Sequence, residues 1–472
     1  MRTEKGFEMR AEQEAASGLL PALGPVQLVL LGVGCIIGAG IFVITGSAAA
    51  QYAGPAVVVS FLLAALACAC VGLCYAELAA MSRESGGAYS YTRDALGPLL
   101  GWLVGWNLIM EYLGAAAFVA VGWSGYLTAL FATLGIPLPS ELSAAPLAVK
   151  EGALVTTGAI INLPAVFIVG LVTFLAVIGV RRSAWANTAV VITKVAVILV
   201  VIAVGAFHVN PAQWTPFVPA NTGEFGHYGI TGVLRAAAVV FIAYIGFDAV
   251  ATTALEARNP QRDVPIGILG SLVVCTLLYI GMALVLTGIV PYAELNVPHP
   301  VALAVERMGP SWLWLESLVS LGAVAGLTSV ALVLLLAQPR VFYAMAQHGI
   351  MPAVFGKVHK TWRTPYVGTL ITGGAAMVLA SLFPIDLLAE LVSIGTLVAF
   401  MAVSASVLVL RRTRPDVPRP FRTPLVPIIP VISILTCAGL MYYLPGDTWA
   451  RLVIWLALGL IVYFFRRNKT KA

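Results

Sequence analysis

The 472-residue chain predicts an all-α integral membrane protein of twelve transmembrane helices, and three observations carry that prediction. First, 60% of the residues are hydrophobic and 10% charged, too apolar a balance for a soluble globular domain. Second, twelve apolar segments, approximately 25–49, 54–82, 97–132, 162–180, 187–207, 229–257, 265–290, 312–337, 367–384, 386–410, 425–444 and 449–465, lie near the ~20 residues that cross a bilayer. Third, the first and sixth segments are interrupted where a lipid-facing helix should be continuous. Breaks five spans apart suggest a 5+5 inverted repeat, with helices 1 and 6 unwound at the midplane and two helices added at the C-terminus. The chain then divides into a cytoplasmic tail (1–24), a ten-helix core (25–411) and the last two spans with a short tail (412–472).

The tail 1–24 is polar, carries Arg2, Lys5 and Arg10, and lacks the apolar core and cleavage site of a signal peptide. Placing it inside also places Arg83, Arg93, Arg181, Arg182, Arg258, Arg262, Arg340, Arg411, Arg412, Arg466 and Arg467 inside, against little beyond Lys150 and Arg307 outside. Basic residues near span ends set orientation, so both termini are expected in the cytoplasm. The same asymmetry accounts for the net charge of +6 without any nucleic-acid partner. The six cysteines fall within spans with no metal-ligand spacing outside the membrane, and free buried thiols are expected.

In the first span the run GVGCIIGAGIFVITG (residues 32–46) places Gly32, Gly34, Gly38 and Gly40 in close succession. Residues 36–41 read as half of a binding site, because non-helical backbone at membrane depth lends its N–H and C=O groups to a polar ligand. Glycines that only permit close helix packing are the other reading. The sixth span repeats the theme in FIAYIGFDAV (241–250), where Gly246 and Asp248 interrupt the apolar run. Two independent breaks weigh against packing alone.

Buried polar residues are the remaining signals. Glu111, beside Asn107 in the third span, costs roughly 2.5–3.5 kcal/mol at mid-bilayer and must face the bundle interior, as a functional group or as a structural partner. Lys194 sits about two turns inside the fifth span, too deep to snorkel to the surface. Thr328 and Ser329 in the eighth span offer adjacent hydroxyls, though most such hydroxyls bond back to their own helix. The segment 134–163 reads as a long loop without a motif, and 341–364 as an amphipathic cytoplasmic stretch lying along the interface as a short helix or pair of helices.

Glu77, Leu78, Ser85, Gly86, Gly87, Tyr89 and Tyr91 resemble the AEL…SGGxYxY signature of the amino acid, polyamine and organocation transporter superfamily. Arg83 and Glu84 stand where that family usually has a proline. The sixth-span motif with Asn259, Pro260, Gln261, Arg262 and Pro265 resembles the bacterial branch of the cationic amino acid transporter family, with Leu255 replacing one of its two acids beside Glu256. The resemblance covers essentially the whole chain and implies the leucine-transporter fold and a secondary active transporter in the bacterial inner membrane.

What the resemblance implies for the site follows residue by residue. The N–H groups of Ala39, Gly40 and Ile41, after Gly38, face the substrate carboxylate, since helix N-termini favour anions. Carbonyls around Cys35, Ile36, Ile242, Ala243 and Ile245 accept from the substrate ammonium. Ala39 stands where relatives often carry a hydroxyl, and Ile242 where they carry a larger aromatic gate. Selectivity falls to Ile242, Phe247 and Leu334, all apolar, which favours small neutral L-amino acids over cationic ones, with Glu111 or Asp248 left to receive a cationic head if the pocket reaches them. Lys194 occupies the place where sodium-coupled relatives hold a cation, supported by Thr328 or Ser329; with Glu111 it is assigned to proton coupling, the other reading of the lysine being a permanently charged strut. An exchanger of amino acids or polyamines without proton coupling is the alternative. No catalytic, metal or cofactor motif is found, which sets an intramembrane enzyme aside. A channel needs a continuous polar path that these apolar gates interrupt. The expected partners are the substrate, protons and the bilayer, and the last two spans read as scaffold or as a surface for a second copy or a small membrane partner.

Overall fold

The computed structural model describes residues 23–81, 86–150, 153–179, 184–252, 257–362 and 364–469. A helix lies on each apolar segment. The first span is α1 (Pro25–Ile36) followed, after a bend, by α2 (Thr45–Ala48), which is flanked by wider turns at Gly40–Ile44 and Ala49–Ala53. Next come α3 (Val57–Met81), the short α4 (Ala88–Leu96), α5 (Pro98–Thr133), α6 (Leu163–Ile178) and α7 (Ala184–Gly205). The sixth span is split into α8 (Gly229–Val240) and α9 (Phe247–Thr252). Then follow α10 (Pro260–Ile289), α11 (Pro300–Arg307), α12 (Leu313–Gln347), α13 (Tyr366–Leu382), α14 (Ile385–Thr413), α15 (Ile428–Tyr442) and α16 (Gly446–Lys469). Among the described residues, seven helical stretches are long and apolar enough to cross a membrane, and five shorter apolar helices accompany them. The chain is a multi-pass membrane protein.

Two expectations are corrected. The connection 134–163 holds a β-hairpin, β1 (Leu147–Lys150) antiparallel to β2 (Ala153–Thr156), so the structure is not wholly helical. The stretch 341–364 is not a separate interfacial helix, because α12 runs through Pro339 to Gln347 and only a single tight turn, Ala353–Gly356, follows. Pro339 lies inside α12, where it removes one backbone donor from the helix.

The long α5 organises the packing, lying against α12 on one side and α14 on another, while α10 lies against α1 and α3. The C-terminal helix α16 is fastened to α5 by tryptophans. Trp106 and Trp455 stack with centroids 4.8 Å apart and exchange hydrogen bonds, Trp106 Nε1 to Trp455 O at 2.8 Å and Trp455 Nε1 to Trp106 O at 3.1 Å. Trp102 adds a third, donating to Gly459 O at 2.8 Å. Aromatic pairs of this kind contribute ~0.5–1.5 kcal/mol beyond their area, so the last helix is held as scaffold against the core.

The AEL glutamate forms a buried node at the end of α3. Glu77 accepts both arms of Arg411 (2.8 and 2.9 Å) and the Thr423 amide (2.7 Å), with Arg419 Nε at 3.3 Å. A bidentate arginine fork is the geometry that makes such a buried carboxylate tolerable. The node ties α3 to the end of α14 and to the connection before α15. In the SGG segment, Gly87 takes φ +55°, Tyr89 OH meets His348 Nδ1 at 3.0 Å and Tyr91 packs on Tyr75. Arg83, Glu84, Ser85, Leu255 and Glu256 lie outside the described residues, as do 1–22. Leu23 pairs with Ala257 as an isolated parallel bridge, joining the start of α1 to the segment after α9.

Candidate functional site

Helix α1 ends inside the first apolar segment and helix α8 inside the sixth, and the residues that follow the two ends lie against each other. Helix α1 stops at Ile36; Ile37 turns to an extended ψ of 101° while its N–H still reaches Val33 O. The helix restarts with Phe42 N donating to Gly38 O at 3.4 Å. In the sixth span α8 tightens into the turn Phe241–Tyr244, Ile245 is extended (ψ 134°) and Gly246 takes φ +118° before α9 begins. Only glycine adopts that φ without strain, and a Cβ on Gly246 would lie 2.9 Å from the Cys35 carbonyl. Gly40 is the matching contact, since a Cβ there would lie 2.5 Å from Ala243 Cβ. The glycines therefore bring the two breaks into backbone contact.

The polar groups freed by the breaks have identifiable partners. Lys194, 1% exposed, donates through Nζ to Gly34 O and to Ile37 O (2.7 Å). Tyr279 on α10 places its hydroxyl between the breaks, 3.1 Å from Ile36 O and 2.6 Å from Ala243 O. One hydroxyl has one proton, so it serves one of the two carbonyls at a time. Gly246 N–H donates to Asp248 Oδ1 at 3.2 Å, and Thr45 Oγ1 donates to Gly40 O at 3.0 Å. An unpaired buried carbonyl costs ~1–3 kcal/mol; this shell of donors is what keeps the interrupted backbone affordable.

Between the breaks lies a cavity of about 50 Å³. Of the residues expected at a binding site, Cys35, Ile36, Gly38, Ala39, Gly40, Ile242, Ile245 and Leu334 line it. Three do not. Ile41 and Ala243 are expected there through a backbone N–H and a carbonyl, and their side chains pack elsewhere, Ile41 in the core and Ala243 against Gly40; the Ala243 carbonyl accepts from Tyr279, and Phe247 is packed between Tyr75 and Phe400 at ring distances of 5.7 and 5.2 Å. Gly246, at φ +118°, turns the chain just before Phe247, so that Gly246 lines the cavity and the Phe247 ring does not. The remaining lining comes from Ala115, Phe118 and Val119 of α5, Gly246, and Val330 and Val333 of α12. Of these only Gly246 carries a sequence signal, as the break in the sixth span; the others show ordinary apolarity, and Tyr279 is one of several tyrosines in apolar spans. Val330 and Val333 share the cavity-facing side of α12 with Leu334 by their i, i+3, i+4 spacing.

The polar residues divide. Glu111 is buried, with Asp248 and Thr396 as polar neighbours and Oε2 without a hydrogen-bond partner among the described residues. The Thr328 hydroxyl is engaged away from the lysine: it donates to Val324 O (2.7 Å), four residues back on its own helix, and accepts from the Trp123 indole (2.9 Å). That correction leaves Ser329 as the hydroxyl of the pair that can face the lysine. Lys194 itself lies along Gly326, one turn before Ser329 on α12, which leaves room for the lysine stem. Among the described residues no three His, Cys, Asp or Glu side chains gather in a way that could hold a metal ion. None of the six cysteines forms a disulfide; four are buried, whereas Cys35 and Cys70 are half-buried, Cys35 at the cavity wall.

Residues 23–465 match the family described as amino acid permease. The chain is similar to a methylthioribose transporter of Bacillus subtilis, 44% identical over 466 residues that cover 99% of this chain and 97% of the relative. It is equally similar to the branched-chain amino acid permease BcaP of the same organism, 44% identical over 463 residues, 98% of this chain and 96% of the relative. A cationic amino acid transporter 9, chloroplastic, of Arabidopsis thaliana is 40% identical over 399 residues, 84% of this chain and 68% of the relative.

Proposed function

We propose, from the premise that this chain belongs to the amino acid permease family and is a transporter rather than an enzyme, that it is a secondary active carrier of small neutral L-amino acids, coupled to protons and independent of sodium. The observation that carries the reading is the facing pair of helix breaks around a small cavity whose polar surface is mostly backbone. Backbone amides at the restarted first helix (Ala39, Gly40) suit a carboxylate, and carbonyls beside Cys35, Ile36, Ile242 and Ile245 suit an ammonium group. Such recognition avoids burying unpaired side-chain charge, which is expensive at membrane depth. The apolar wall of Ile242, Val330, Val333 and Leu334 then favours apolar side chains.

In this reading the first ten spans, residues 25–411, form a 5+5 inverted repeat of the leucine-transporter type, with both termini cytoplasmic and the discontinuous helices at the midplane of the bacterial inner membrane. Lys194 bridges the first and eighth spans when protonated and releases them when it loses its proton, with Ser329 and Glu111 completing the proton route. Relatives 44% identical are named for methylthioribose and for branched-chain amino acids, so both belong in the first screen. The test is substrate counterflow in sodium-free proteoliposomes, with all twenty amino acids and methylthioribose as competitors. Saturable exchange inhibited by alanine, valine or leucine supports the reading. Inhibition by methylthioribose alone overturns the substrate class, and linear, unsaturable flux overturns the carrier mechanism.

A further inference from the structure

Between the end of α12 at Gln347 and the start of α13 at Tyr366, the chain folds into a compact connection that opens a cleft of about 610 Å³. Lys357, Val358, His359, Lys360, Thr361 and Tyr366 line it, and no carboxylate is among them. The connection is internally built. His359 N–H donates to Thr364 O at 2.8 Å, and the amides of Thr361 and Trp362 both donate to His359 Nδ1, at 3.3 and 3.2 Å. Trp362 stacks on the His359 ring at 4.2 Å and Tyr366 meets it edge-on at 5.5 Å. Two anchors fix this turn to the helices: Thr364 Oγ1 donates to Val177 O at the end of α6 (2.7 Å), and Phe355 packs on Phe342 of α12 (4.9 Å).

Two consequences follow from the geometry. Because Nδ1 of His359 accepts two amides, its ring hydrogen sits on Nε2, which makes the imidazole a donor at its outer edge. Lys357 and Lys360 are exposed and, among the described residues, have no ion-pair partner. Among the described residues the cleft thus collects donors and positive charge, with no carboxylate in its lining and no ion pair to either lysine. Around its rim, Val354, Val358 and Trp362 are 38%, 45% and 43% exposed. The site lies where two apolar helices end, the depth at which tryptophan and lysine meet lipid headgroups.

We propose that this cleft seats the headgroup of an anionic phospholipid, with its phosphate held by Lys357, Lys360 and His359 Nε2–H and its acyl chains leaving over Val354, Val358 and Trp362. A soluble phosphate would use the same donors and ignore the apolar rim, which is why the lipid is the better fit. The bound lipid would hold the α12–α13 connection at the membrane surface.

The purified full chain is titrated with phosphatidylglycerol or phosphatidylcholine and the retained lipid counted by native mass spectrometry. Phosphatidylglycerol is expected to be retained over phosphatidylcholine, and retention to fall about five-fold for one lysine and about thirty-fold for Lys357→Gln with Lys360→Gln. The paired arginine variant, Lys357→Arg with Lys360→Arg, should restore it, which separates lost charge from a misfolded connection. Equal retention of the two lipids, or unchanged retention in the paired glutamine variant, overturns the proposal. Displacement of the lipid by millimolar inorganic phosphate would make this a soluble-anion site and overturns it as well. Brominated phosphatidylglycerol should quench an emission component that Trp362→Phe removes; identical quenching in that variant places the lipid elsewhere.

Discussion

In the first break the freed carbonyls of Gly34 and Ile37 meet a charged donor, Lys194, whereas in the second the carbonyl of Ala243 meets a neutral one, the Tyr279 hydroxyl. The backbone problem is the same in both places, an interrupted helix with acceptors that water cannot reach. An ammonium group supplies three donors and a charge that a proton can add or remove; a phenol supplies one donor that stays. In the reading proposed here, the first break is therefore adjustable and the second fixed. Tyr279 also approaches Ile36 O, so the fixed break has a hand on the adjustable one.

The largest effect is expected from removing the charged donor. Lys194→Ala leaves two buried carbonyls without a partner, at ~1–3 kcal/mol each, and takes away the titrating group. Uphill accumulation on an imposed proton gradient should be lost and the apparent Tm lowered, both measured in sodium-free medium. A folded variant that still concentrates substrate would make the lysine a strut and dissolve the contrast between the breaks. Next in size is Gly246→Ala, which forces a Cβ onto φ +118° and toward the Cys35 carbonyl, a strain of ~1–3 kcal/mol. Transport should fall at least ten-fold with only partial loss of folded protein on size exclusion; wild-type transport would show that the second break adapts after all.

These two positions also mark what could be read in the sequence. A lysine within an apolar run and a cluster of glycines are legible because each is expensive where it stands and so needs a reason. Tyr279 was not legible, since its role depends on two carbonyls 243 and 36 residues away along the chain. The same holds for the tryptophans: Trp102 and Trp106 are conspicuous, but their partners on α16 lie some 350 residues on. Phe247 packs against Tyr75 and Phe400 instead of the cavity because Gly246, at φ +118°, turns the chain just before it. The hairpin at 147–156 is not legible because its four-residue strands, LAVK and ALVT, show no alternation of apolar and polar residues.

Tyr279→Phe sharpens the comparison without altering volume. It should cost ~1–3 kcal/mol at the carbonyl it abandons, seen as about a ten-fold rise in KM with the proton dependence intact. If the proton dependence shifts as well, the two breaks are coupled through this hydroxyl. Leu334→Ser works on the floor of the cavity and not on the breaks. Opening that wall should weaken small substrates and admit arginine or lysine in competition assays; an unchanged profile would make Leu334 ordinary core.

The smallest effect is expected at Ala39, which sits in the first break between Gly38 and Gly40 and lines the cavity. A hydroxyl there, as Ala39→Thr, faces the position proposed for the substrate carboxylate and should add one hydrogen bond of ~0.5–1.5 kcal/mol, tightening affinity two- to ten-fold in a thermal-shift titration. Ala39 is 3% exposed, so the extra atoms must fit into the 50 Å³ cavity itself. The gain should accordingly appear for glycine and alanine and shrink for leucine, whose side chain competes for the same space. A uniform loss across all amino acids would show that the space beside the glycines is already taken, and that the first break recognises the carboxylate by backbone alone.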